Sequence, residues 1–126
     1  DASPGKARIV ATHHPLVFIE GLPRARPARR AVRALEALRA EGVEMLLSGH
    51  THQAFAVSLA QNAGRLLAVG APTALSHRVR GEANGFWLIE IGPRAFELNL
   101  NRFDDDAFVP EGQAQSFERE IRGRDD

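Results

Sequence analysis

Five histidines carry most of the chemistry open to this chain: His13, His14, His50, His52 and His77. Four of them lie directly after short apolar runs, residues 8–12 and 43–47. Neutral imidazole is a common ligand for zinc, iron and nickel. His50 and His52 stand two apart, a spacing that turns both rings to one side if the segment is extended. Gly49, just before them, permits a tight turn and a close approach of backbone to a ligand. Cysteine is absent, which excludes disulfides and thiolate metal sites. A blander reading stands beside each feature. An H-x-H pair occurs by chance on solvated loops, His14 suits a capping or packed position, and His77 falls in a polar, irregular stretch.

The elements that must position these residues are legible as short runs. Residues 8–12 are β-branched and apolar, reading as a buried strand that Pro15 closes. Residues 28–41 read as a helix. Ala31, Val32, Leu35 and Leu38 make its apolar stripe, Pro27 suits its first turn and Gly42 its left-handed stop. Residues 43–47 read as a second buried strand, ending at Ser48-Gly49. Strand, helix and strand in this order predict a βαβ unit with a parallel pair. His13 and His50 then leave neighbouring strands at one carboxyl edge, where α/β proteins build their sites.

Further strands are expected at 54–59, 65–69, 86–91 and 95–100, with Phe86 and Trp87 as core residues. Residues 116–126 are dominated by charge and predict a frayed tail or a short surface helix. The domain is expected to span residues 1–110, with a charged tail over 111–126.

The 126 residues suffice for one domain. With 16 basic and 16 acidic side chains the net charge is zero, so whole-molecule electrostatics gives no case for nucleic-acid binding. The arginines at 24, 26, 29, 30 and 33 invite a phosphate reading, but no aromatic side chains interleave them, and a soluble helix face explains them. Asp104-Asp105-Asp106 lacks a calcium-loop pattern. No apolar run approaches the ~18 residues of a membrane span, and no signal segment is seen, so a cytoplasmic location is expected. The chain opens without Met, as a processed product, an excised domain or a fragment would.

Val10-Ala11-Thr12-His13-His14-Pro15-Leu16, followed some thirty residues later by Leu46-Leu47-Ser48-Gly49-His50-Thr51-His52, resembles the last two signature motifs of the calcineurin-like metallophosphoesterases. The first is similar to the family's H-x-P motif and the second to its G-H-x-H motif. The resemblance covers roughly residues 6–103. It implies an α/β fold, the C-terminal half of a double-sheet sandwich with flanking helices. It also implies that His13, His50 and His52 are metal ligands, with His13 and His50 sharing one ion. His14, His77 and Arg78 are then candidates for supporting or substrate contacts, and the catalytic residue is unassigned.

The family's other ligands come from D-x-H, G-D and G-N-H-[DE] motifs, none of which occurs here. The resemblance therefore implies part of a phosphoester hydrolase, phosphodiesterase or phosphatase, similar to cyclic-nucleotide phosphodiesterases. The complete enzyme would hold two divalent or trivalent ions of manganese, iron or zinc. Its expected partners are a phosphoester substrate and the N-terminal half of the same domain, with neither membrane nor nucleic acid. Two ions ~3.5–4 Å apart need an anionic bridge, so this chain alone is expected to bind at most one ion weakly and to be inactive. Exposure of a face meant for the other half predicts aggregation or dimerisation. Two alternatives remain open: a mononuclear zinc hydrolase on His13, His50 and His52, and a non-enzymatic anion-binding or interaction module on the Arg-rich helix.

Overall fold

A computed structural model describes residues 5–21, 26–61, 64–77 and 81–120. Among these, β1 (Ile9–Thr12), α1 (Ala31–Ala40) and β2 (Met45–Ser48) form the expected βαβ unit. The hairpin β3 (Phe55–Gln61) and β4 (Gly64–Gly70) follows, then β5 (Gly85–Ile91), β6 (Ala95–Asp104), β7 (Ala107–Pro110) and β8 (Gln115–Glu118). The first sheet runs β1-β2-β4-β3, with β1, β2 and β4 parallel and β3 antiparallel to β4. The second runs β5-β6-β7, antiparallel, with β8 also on β6.

Side-chain alternation along the central strands builds three layers. Leu46, Leu66 and Ala68 face α1, in a core with Leu16, Val17, Ala31, Val43 and Phe55. Met45, Leu67 and Val69 face the second sheet, where Phe96 and Leu98 meet them, with Trp87, Ile89 and Phe117 half-buried alongside. Because the first sheet is covered on both faces, β2 and β4 read as continuous apolar runs.

The helix stops as its sequence predicts. Gly42 takes φ 74°, its N–H bonds the Arg39 carbonyl at 3.0 Å, and Val43 N–H bonds the Leu38 carbonyl at 2.9 Å. This pair of bonds is a Schellman stop. The start falls later than expected, at Ala31, with Arg30 held at φ 62° before it. The buried face comprises Ala31, Ala34, Leu35 and Leu38, while Val32 is 70% exposed. Val32 lies about 100° round the axis from Ala31 and off the stripe. Arg39 instead is buried, its Nη2 donating to the Leu59 carbonyl at 3.4 Å.

Three further expectations are corrected. The strand β1 is a sheet edge whose residues alternate between exposed and half-buried, not a buried strand. An apolar run shows which faces are covered but not whether both edges are paired. Phe86 lies on the outer face of the second sheet at 41% exposure, and only Trp87 turns inward. Of the expected tail or surface helix over 116–126, residues up to Glu118 belong to the strand β8 (Gln115–Glu118), and residues 121–126 lie outside the described residues. The ten-residue β6 is long enough to pair with β7 along one half and β8 along the other. Beyond β8, Arg119 makes a buried bidentate pair with Glu44 at 2.9 and 3.1 Å. That carboxylate, by hydrogen bonding first, raises the Arg119 pKa above its ordinary value.

Candidate metal centre

The parallel register sets Thr12 beside Ser48, so β1 and β2 end level. One further backbone bond, Gly49 N–H to the His13 carbonyl at 3.2 Å, continues the ladder past the strand ends. It draws the two histidine-bearing loops together. The Thr12 hydroxyl donates to the His14 carbonyl at 2.8 Å and fixes the first loop. Pro15, Leu16 and Val17 are buried beneath it.

Ring centroids stand 5.2 Å apart for His13 and His50, 4.7 Å for His13 and His14, and 4.2 Å for His14 and His50. Each of the three offers a nitrogen, and these nitrogens lie within 4.8 Å of one another, with all three residues exposed. The sequence expectation that His13 and His50 share one mouth therefore matches the geometry. The third member of the cluster is His14, and His52 is not part of it.

The second loop explains that difference. Residues 49–52 are not extended. His50 and His52 both take left-handed conformations, φ 65° and 60°. Thr51 between them is 1% exposed, and its N–H bonds the Gly49 carbonyl at 2.8 Å. This is a three-residue turn of the γ type centred on His50, a strained form for a residue with a side chain. The strain sits on His50 and His52, not on Gly49, which has no positive φ. The same-side argument for His50 and His52 needed an extended segment, and Thr51 is buried only because the chain curls around it.

His77 is exposed in the loop between β4 and β5, whereas Arg78 lies outside the described residues. That loop is tied by Asn84, which accepts from the Thr73 hydroxyl at 3.0 Å and donates to the Ser76 carbonyl at 2.9 Å. Arg26, Arg29, Arg30 and Arg33 are exposed, and Arg24 lies outside the described residues. Asp105 takes φ 53° in the β6–β7 turn, and the three aspartates are exposed there.

Three imidazoles suit a borderline-soft divalent ion. Nitrogens sharing one tetrahedral zinc at ~2.0–2.1 Å stand about 3.3 Å apart. Small rotations of exposed rings bring a cluster already within 4.8 Å to that spacing. The cluster holds no carboxylate, so it lacks the anion that would let a second cation sit close by.

No family model and no curated protein matches this sequence. Solved structures do match. A Vps29 double mutant from Entamoeba histolytica is 20% identical, with a TM-score of 0.51 over 78% of this chain and 51% of its own. Vps29 from Cryptosporidium parvum is 17% identical, with a TM-score of 0.44 over 72% and 45%. Wild-type Vps29 from Entamoeba histolytica, complexed with zinc, is 21% identical, with a TM-score of 0.42 over 72% and 47%. The chain thus spans about half the length of these proteins. Its mixed α/β fold of two sheets is similar to that of the Vps29 double mutant.

Proposed function

We propose that this chain supplies the histidine-rich part of a metal-dependent phosphoester hydrolase, with His13 and His50 as metal ligands. The observation that carries the reading is the cluster of His13, His14 and His50 at the shared carboxyl end of two parallel strands. His14 is the nearest third ligand in this arrangement. His52, two residues on, is left for a second ion whose remaining ligands this sequence does not hold. A bound divalent ion in such a site polarises a phosphoryl oxygen and neutralises its developing charge.

The chain's own residues hold the site in three ways. The Gly49 N–H bond to His13 sets the distance between the loops. Buried Thr51 anchors the turn that presents His50. The Thr12 hydroxyl fixes the loop that carries His13 and His14, and His77, on a separate exposed loop braced by Asn84, is proposed as a substrate contact. The partner we propose is the rest of such a domain, carrying the anionic ligands. Its acidic bridge would allow two manganese, iron or zinc ions, and a phosphodiester or phosphomonoester as substrate.

A second reading has a specific observation in its favour. Three imidazoles without a carboxylate are also the donor set of a mononuclear zinc hydrolase. Titration of zinc or manganese into the chain, with hydrolysis of a generic phosphodiester followed in parallel, separates the two. One weak, histidine-dependent site without hydrolysis supports the first reading. One tight zinc with hydrolysis by this chain alone supports the second, and binding indifferent to His13→Ala and His50→Ala contradicts both.

A further inference from the structure

The loop that carries His50 is pinned at three points, and the third comes from the loop that leads into the other sheet. Gly49 N–H bonds the His13 carbonyl, and Thr51 is buried. At the far end, Ala54 N–H donates to Glu82 Oε2 at 3.0 Å. Glu82 belongs to the loop before β5, not to the layer that carries the histidines. The same Glu82 oxygen pairs with Arg102 Nη2 at 3.0 Å, with side chains only 22% and 15% exposed.

Arg102 is itself held tightly. It donates through Nη1 to the Ala83 carbonyl at 2.9 Å and through Nε to Glu111 at 3.3 Å. Its neighbour across the strand pair is Gly85, where a Cβ would stand 2.5 Å from the Asn101 carbonyl and 3.1 Å from Arg102 Cδ. The Arg102 side chain therefore lies against Gly85, in space that a Cβ there would take. A rigid cation on β6 thus sets the position of a carboxylate that caps the end of the histidine loop.

We infer that Glu82, oriented by Arg102, is a positioning residue for the metal centre, holding the 49–54 loop so that His50 faces His13 and His14. The inference rests on the metal reading proposed above. His50 and His52 both need left-handed backbone, which an untethered loop would relax. Groups that orient metal ligands from behind typically govern 10–100-fold in affinity. Glu82 acts through the backbone of Ala54, so what matters is an acceptor at that reach. A glutamine retains one.

The test is cobalt(II) titration of the full chain, read by the ligand-field absorption of the bound ion, with thermal melting alongside. His13→Ala and His50→Ala serve as controls. Glu82→Ala is expected to weaken cobalt binding at least tenfold and to alter the absorption band. Glu82→Gln is expected to bind within about threefold of wild type. Should the alanine variant not melt cooperatively, Glu82→Asp replaces it. That variant keeps the charge but draws the acceptor back by one methylene, and a several-fold loss is expected. Wild-type affinity in Glu82→Ala or Glu82→Asp overturns the inference, as does a glutamine variant as weak as the alanine one. Where that happens while wild type binds cobalt through His13 and His50, the metal reading stands and this inference alone falls. A wild-type chain that binds no cobalt overturns both.

Discussion

At the scale of residues, His50 combines two demands that conflict. It contributes an imidazole to the cluster, and it occupies φ 65° at the centre of a strained turn. A left-handed residue with a Cβ costs roughly 1–2 kcal/mol relative to glycine's freedom there. His50→Gly and His50→Ala both remove the ligand, yet only the first relieves the backbone. Melting curves are expected to show the glycine variant about 1 kcal/mol more stable than the alanine variant, while both lose histidine-dependent metal binding. Equal stabilities would mean that the turn is not strained. Gly49, by contrast, has no positive φ, and a Cβ there would stand 3.9 Å from the His13 carbonyl. Gly49→Ala is expected to fold normally.

The partnership of His13 and His50 was legible in the sequence, because one apolar run of strand length ended at His13 and the other led through Ser48-Gly49 to His50. The membership of His14 was not. Alternation would set adjacent residues on opposite sides, but β1 ends at Thr12 and His13-His14 already belongs to a loop. For the same reason the spacing of His50 and His52 misled. Period-two reasoning holds only while the backbone is extended, and here the sharp turn puts a buried threonine between them.

At the scale of elements, the βαβ unit was readable from composition because apolar runs, a helical stripe and Gly42 all agree. The strands β7 and β8 were not. Ala107–Pro110 is only four residues long and closes on a proline, Gln115–Glu118 is equally short and mostly polar, and both are strands because β6 offers them a long edge. Their support is tertiary, which propensity does not record. The Glu44–Arg119 pair illustrates this, since its partners are 75 residues apart and its side chains are 9% and 3% exposed. Removing one member of a buried pair strands the other, at about 3 kcal/mol. Glu44→Ala and Arg119→Ala are each expected to lower stability by that order in chemical denaturation. The double substitution Glu44→Leu with Arg119→Met should cost less than either. The raised Arg119 pKa means that its contribution persists below the ordinary guanidinium value and is lost only as pH rises through the raised one.

The junction of the two sheets near the site depends on Gly70, whose carbonyl accepts from the Trp87 indole at 2.8 Å. A Cβ on Gly70 would stand 2.1–2.6 Å from the Phe55 ring. Gly70→Ala is expected to destabilise the chain by about 1–3 kcal/mol through overpacking. It should also shift the emission of Trp87, the single tryptophan. An unchanged melt and spectrum would contradict the close approach.

At the scale of the whole molecule, the sandwich is covered on its helix side and carries an apolar patch on its far side. Phe86, Leu88 and Phe103 are exposed on the second sheet's outer face, with Phe108 stacked edge-on to both phenylalanines at 5.2 and 5.3 Å. Among the described residues, β1 at the edge of the first sheet has one unpaired side. Exposed apolar surface and open parallel edges both promote association. Sedimentation velocity is expected to show concentration-dependent self-association. A single monomeric species across the range would contradict the view that this fold is completed by another chain segment. Among the described residues no helix is long and apolar enough to cross a membrane.

The central claim is that His13 and His50 meet at one mouth and hold a divalent cation. Calorimetric titration of zinc or manganese into the chain, repeated with His13→Ala and His50→Ala, tests it most directly. The prediction is a single weak site that either substitution abolishes while cooperative melting survives. Heats unchanged by both substitutions, or two tight sites in the unmodified chain, would contradict it.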